Sequence, residues 1–299
     1  MRRVRHEDAL RGDQGVETFL GLRDAAGTGA VFRELATTGL IDEKESFAPR
    51  QTCDEGVCSS STWLQSQPMC MHHELSYTLQ FPGLMLFACL GAPTDGGTTA
   101  VADAPTILDT LPKRLVKRFE RQGWLLIRTY NDEIGASVAE AFGTDDRDAV
   151  ERYCRANAIA FQWQPDGGLR TRQRRGAAVR HPVSGRRCWF NQIAFLNEWT
   201  IAPEVREYLV DVYGADGLPF NTFFGDGDPI DEDTIQLLNT VYEDHTAREP
   251  WQAGDLMLVD NIRTAHSREP FEGPREVLVA MADPVHLTDC SPPIEVTIK

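Results

Sequence analysis

The chain has 299 residues, 41% of them hydrophobic, enough for one substantial core, and its apolar runs fall short of the ~20 residues that a membrane-spanning helix needs. Forty-five acidic residues against thirty basic ones leave a net charge of −15, which repels nucleic acid and anionic membranes and removes both as expected partners. Seven cysteines, at positions 53, 58, 70, 89, 154, 188 and 290, are odd in number and lack Cys-X-X-Cys spacing, which points to free thiols in a reducing cytoplasm and away from a disulfide scaffold or a structural zinc.

The opening Met1-Arg2-Arg3-Val4-Arg5-His6 is basic, but no hydrophobic segment follows it, so no signal peptide is expected. Residues 16–22 fit a short helix, and residues 30–35 fit either a strand or a helix. Cys53 and Cys58 flank Gly56 in what reads as a turn with incidental thiols. Residues 70–103 read as two core strands joined by the turn Pro93-Thr94-Asp95-Gly96-Gly97. A helix is predicted over 104–121, with Pro105 suited to its first turn and Ile107, Leu108, Leu111, Leu115 and Phe119 at near-helical spacing. A second helix is predicted over 145–156. The basic cluster Arg170, Arg172, Arg174 and Arg175, with Arg180, Arg186 and Arg187 beyond, reads as a solvated loop; its functional alternative is a docking patch for an anionic substrate or a carrier protein. Strands resume around Trp189 and Phe190. A third helix begins near Asp231 and carries Ile235, Leu238, Val241 and Tyr242 on one face, and residues 256–259 and 277–281 read as buried strands. Helices interleaved with strands in this way fit a mainly β fold, a double-stranded β-helix (distorted jelly roll) core flanked by helices. Because no Pro/Gly/Ser-rich linker interrupts the chain, residues 1–299 are read as a single domain with a helical insertion over roughly 104–180.

The chemistry centres on His72-His73-Glu74 and on His266, which follows the apolar run 256–259. Residues two apart on a strand share a face, so a strand here would aim His72 and Glu74 at one point while His73 faces away. With His266 as the third ligand, two imidazoles and one carboxylate leave three adjacent positions of an octahedral ion open, the arrangement of non-haem Fe(II) oxygenases. Two competing motifs fail. His73-Glu74-Leu75-Ser76-Tyr77 begins like a zinc-protease helix, but Tyr77 stands where the second histidine is required. Asp226 and Asp228 are spaced like the start of a calcium loop, but Ile230 occupies the next ligand position, so the segment is assigned to a loop and helix cap.

Further elements accompany the triad: Ser61-Thr62 ahead of it, Gly96-Gly97-Thr98-Thr99, His181-Pro182, Trp189-Phe190-Asn191-Gln192, Gly225-Asp226-Gly227, Trp251 with Gly254-Asp255, and Arg275 nine residues beyond His266. In their order and spacing, from about residue 47 to 281, they resemble the taurine dioxygenase-like (TauD/TfdA) family of Fe(II)- and 2-oxoglutarate-dependent oxygenases, nearest its syringomycin-type aspartyl hydroxylase branch. The resemblance implies that His72, Glu74 and His266 bind Fe(II), and that 2-oxoglutarate chelates the metal while dioxygen takes the remaining position. It also implies that Arg275 and Thr99 hold the distal carboxylate of 2-oxoglutarate, a role suited to the bidentate guanidinium fork. Halogenases of this superfamily lose the metal-binding carboxylate, so the retained Glu74 favours hydroxylation. Asn191 and Gln192 match an element near the cavity and are candidate substrate contacts. Arg128, an isolated cation at a predicted strand end, is a third candidate, although a structurally paired arginine is the commoner outcome. The expected substrate is an amino acid or related small metabolite of natural-product biosynthesis, free or tethered to a carrier protein, with a homo-oligomer left open. The alternatives are a desaturase or cyclase of the same family, or a non-catalytic jelly-roll protein that binds metal only for structure.

Overall fold

The computed structural model describes residues 2–4, 22, 24–45, 47, 50–214 and 217–290. Residues 16–21 of the first expected helix lie outside these. The ambiguous segment that follows is a helix, Ala25–Leu35, opened by Asp24, whose side chain accepts from the Gly27 amide at 2.8 Å.

Two sheets face each other. A six-stranded antiparallel sheet has the order Arg2–Val4, Leu256–Asp260, Gln80–Gly91, Glu276–His286, Val57–Ser59, Thr52–Asp54. A four-stranded antiparallel sheet has the order Thr246–Ala247, Val101–Asp103, Thr264–Arg268, Met69–His72. The alternation of strand side chains explains why the central strands read as unbroken apolar runs. Met85, Phe87 and Cys89, with Val277, Val279 and Met281 of the neighbouring strand, point into the core between the sheets. Their alternates Leu86, Ala88, Leu278 and Ala280 point outward and are covered by Val31 and Phe32 of the helix Ala25–Leu35. Both faces are buried, so neither needs polar residues.

The strand pair expected over 70–103 is not a hairpin. Gln80–Gly91 belongs to the six-stranded sheet and Val101–Asp103 to the four-stranded one, so the chain crosses the jelly roll between them. The helix expected over 104–121 is two helices, Ala104–Thr110 and Lys113–Gln122. Pro112 divides them, because it disfavours helical geometry at Leu111, whose ψ is 145°, and has no N–H to carry the helix on. The helices Arg147–Ala156 and Glu232–Asp244 fall where the pattern put them, the latter capped by Asp231 and burying Ile235, Leu238, Val241 and Tyr242. Asp226 and Asp228 pair with Arg118 in the loop before that helix.

A third sheet, of order Phe220–Phe224, Trp124–Tyr130, Leu169–Arg175, Ala160–Trp163, stands beside the jelly roll. The basic cluster lies on its strand Leu169–Arg175 and not in a loop. Alternation separates the guanidinium groups: Arg172 is exposed, while Arg175 is buried and donates to the Asn157 carbonyl at 2.8 Å. Arg174 donates to the Gln122 carbonyl at 2.7 Å, and Arg187 pairs with Glu120. These cations are therefore largely committed within the fold.

Candidate metal and co-substrate site

His72 and His266 are direct cross-strand partners in the four-stranded sheet, and their ring centroids are 4.4 Å apart. Glu74 joins them by a route other than the expected one. The strand ends at His72, and residues 74–77 form a turn with Leu75 at φ +53°. Asn261 holds that turn: its Oδ1 accepts from the Glu74 amide at 2.8 Å, and its Nδ2 donates to the carbonyls of Glu74 and Pro82, both at 2.9 Å. The Asn261 carbonyl lies 2.6 Å from His73 Nδ1, which draws that ring away from the other three side chains and against Phe190. A turn locked by Asn261, itself in the turn that follows Leu256–Asp260, thus places Glu74 with His72 and excludes His73.

One nitrogen from each of His72 and His266 and one Glu74 oxygen lie within 4.8 Å of one another, and all three residues are buried. His72 Nδ1 is 2.8 Å from the Cys70 carbonyl, which takes its N–H and leaves the Nε2 lone pair facing the site. Burial, then the neighbouring His266, pushes the His72 pKa down to about 3, so the ring is a neutral donor at physiological pH. Burial alone would raise the Glu74 carboxyl, but the Arg50 guanidinium, with His266 and His72, holds it below its ordinary range. Two imidazoles and one ionised carboxylate around a shared point fit a divalent ion that accepts N and O donors, Fe(II) among them.

Beside the triad, a small cavity of about 40 Å³ is lined by Arg50, Ser60, His72, Glu74, Phe87, Thr99, His266 and Arg275, among others. Arg275 Nε donates to the Gly97 carbonyl at 3.0 Å, Nη1 to Ser60 Oγ at 3.2 Å and Nη2 to Thr99 Oγ1 at 3.3 Å. Gly97 is obligatory here, since at φ +67° a Cβ would come within 2.8 Å of Pro93 and 3.1 Å of the Arg275 side chain. Trp251 Nε1 also donates to Thr99 Oγ1, at 3.1 Å. With both lone pairs taken, that hydroxyl is left to act as a donor. Burial, reinforced by Arg268, lowers the Arg275 pKa to about 10, and among the described residues no carboxylate pairs with it. A half-buried cation and a hydroxyl donor lining one cavity can receive a carboxylate.

The three residues expected at the substrate lie elsewhere. Asn191 donates its side chain to the Ala177 carbonyl at 2.9 Å while its own carbonyl accepts from the His73 amide at 3.4 Å, and Gln192 donates to the His73 carbonyl at 2.8 Å, so both brace the backbone of the triplet. Arg128 is buried in the third sheet's strand Trp124–Tyr130, where it donates to the Glu45 carbonyl at 2.7 Å and packs on the rings of Phe47 and Tyr130. None of the three lines the cavity, and local sequence could not distinguish a cavity wall from the layer behind it. Arg50, Ser60 and Asn261 were not anticipated. Arg50 and Ser60 sit outside any periodic pattern, whereas Asn261, directly after an apolar strand, carried a turn signal.

The Taurine catabolism dioxygenase TauD, TfdA family model matches residues 22–281. The chain is 33% identical to the dapdiamide synthesis protein DdaC of Enterobacter agglomerans over 243 residues, covering 81% of this chain and 74% of that protein. It is 27% identical to a clavaminate synthase-like protein of Arabidopsis thaliana over 245 residues, covering 78% of this chain and 71% of the relative. Among solved structures, a taurine dioxygenase from Burkholderia xenovorans is similar with a TM-score of 0.47 at 14% identity, over 91% of this chain and 78% of that one. By the extent of the family match and the identity to DdaC, the chain belongs to the taurine catabolism dioxygenase TauD, TfdA family.

Proposed function

We propose that this chain is an Fe(II)- and 2-oxoglutarate-dependent hydroxylase, acting in the cytoplasm on an unactivated C–H bond of an amino acid or related small metabolite, free or carrier-tethered. Residues 1–299 are taken as one catalytic domain. The observation that carries the reading is the convergence of His72, Glu74 and His266 on one wall of a cavity whose other wall presents Arg275 and Thr99. In this reading His72, Glu74 and His266 hold the iron. Arg275 binds the distal carboxylate of 2-oxoglutarate with its guanidinium, and Thr99 donates its hydroxyl to the same group. When bound, Fe(II) with 2-oxoglutarate and dioxygen would supply the oxidant that exchanges a substrate hydrogen for hydroxyl, one oxygen atom of O2 entering the product and the other the succinate that is released with carbon dioxide. The surrounding burial keeps bulk water from the reacting groups. A purely structural metal would be saturated by protein donors, whereas three donors facing a cavity leave room for exogenous ligands.

The test incubates anaerobically purified protein with Fe(II), 2-oxoglutarate, oxygen and candidate amino acids, both free and on a carrier protein. Iron-dependent succinate together with a product heavier by one oxygen atom supports the proposal. A product lighter by two hydrogens reassigns the enzyme to desaturation or ring closure. Iron binding with no succinate under any substrate returns it to a non-catalytic role.

A further inference from the structure

The described residues between 41 and 50, namely 41–45, 47 and 50, have no regular secondary structure, yet several of them are fixed in place. The Ile41 amide donates to the Met281 carbonyl at 2.9 Å. Glu45 is fully buried at φ +59°. Its carbonyl accepts from Tyr77 and Arg128, and its carboxylate accepts from Tyr153 at 2.8 Å and Gln173 at 2.5 Å. From Thr52 the chain enters the six-stranded sheet. Arg50 is rooted between these anchors, and its guanidinium lines the metal cavity. Nη2 donates to Glu74 Oε2 at 2.9 Å, while Nε lies 3.1 Å from Glu43 Oε2. Glu74 Oε2 is also the oxygen that stands 4.0 Å from His72 Nε2 and 3.7 Å from His266 Nε2.

Building on the metal-site reading above, we propose that Arg50 is a positioning residue for the metal-binding carboxylate, orienting Glu74 before any ion arrives, with Glu43 fixing the guanidinium from its far side. Asn261 fixes only the backbone of Glu74, so three side-chain torsions remain free, and a charge-assisted hydrogen bond to a rigid guanidinium restricts them. Charge explains the second carboxylate. Arg50 alone would cancel Glu74 and repel a divalent ion, but Glu43, Arg50 and Glu74 together carry one net negative charge, so the ligand set keeps its pull on the metal. A nearby arginine shows the contrast. Arg268 spends its guanidinium on the backbone carbonyls of Trp63, Leu64 and Gln67, as a merely structural arginine does, whereas Arg50 spans two carboxylates.

The test is metal binding by the metal-free full-length protein, with Mn(II) affinity read by electron paramagnetic resonance and ligand geometry by the Co(II) absorption spectrum. Arg50→Met should weaken Mn(II) binding by about 10- to 100-fold and alter the Co(II) spectrum, as loss of a partner that orients a ligand does. Arg50→Lys, which keeps the charge without the fork, should fall between Arg50→Met and native. Glu43→Gln should also weaken Mn(II), because Arg50 is then uncompensated. If Arg50→Met does not fold, Arg50→Lys and Glu43→Gln decide the matter. Native affinity and a native Co(II) spectrum in the variants that fold, with binding lost in His72→Ala, would overturn the role of Arg50 while leaving the metal site standing. Mn(II) binding unchanged in His72→Ala would instead remove the metal site itself, and the Arg50 assignment with it.

Discussion

At the scale of single residues, adjacent histidines stand in different surroundings, His72 with Glu74 and His266, and His73 against the Asn261 carbonyl. His72→Ala, Glu74→Ala or His266→Ala should each abolish substrate oxidation, because two remaining donors no longer fix the ion; turnover and bound iron per chain check this. His73→Ala should keep bound metal but lower stability by roughly 2–3 kcal/mol, since it empties a buried ring site and orphans the Asn261 carbonyl. Retained stability with lost metal would mean that His73, not His72, is the ligand. Arg275→Ala should raise the KM for 2-oxoglutarate far more than that for the primary substrate, since removing the partner of a buried carboxylate costs about 3–5 kcal/mol. Equal rises would assign Arg275 a general structural role. Acid should act through the buried imidazoles. Burial lowers His72 to about 3 and His73 to about 4 from an ordinary 6.5, so the unfolded chain binds more protons than the folded one between those values and 6.5. Stability of the metal-free protein should therefore fall as pH drops below 6.5, and chemical denaturation at stepped pH measures the slope.

At the scale of elements, the turn after His72 matters more than the strand before it. Asn261→Ala removes three hydrogen bonds at once, two of them to Glu74, and should cost roughly 2–4 kcal/mol while loosening metal binding. A drop in melting temperature with native metal affinity would show that the turn holds Glu74 without this asparagine. The sequence made His72, Glu74, His266, Thr99 and Arg275 visible as a set through residue type and order, yet the strand geometry first used to join His72 to Glu74 is absent. The reason is physical: a turn that depends on a side chain 187 residues away leaves no local periodicity to read. The break at Pro112 was written in the chain and was overridden by the longer apolar spacing around it. Which strands pair was less legible still. Gln80–Gly91 and Val101–Asp103 are neighbours in sequence joined by turn residues, but their partners are chosen by strands from the far end of the chain.

At the scale of the whole molecule, the helix Ala25–Leu35 seals the outer face of a sheet whose inner face bears the cavity wall. Phe32→Ala should cost about 3–5 kcal/mol of stability and leave the KM for 2-oxoglutarate unchanged, because the sheet lies between that ring and the cavity. A raised KM would show that the helix tunes the site through the sheet. The pairing of His72 with His266 also governs when the site can exist. During synthesis His72 and Glu74 emerge first, but neither His266 nor Asn261, which holds the Glu74 backbone, exists until the distal strands have been made. A contact of such long range forms late and slowly. On the proposed ligand set, the growing chain therefore has no complete iron site until those distal strands are made, so iron should load only after the core around it has been synthesised.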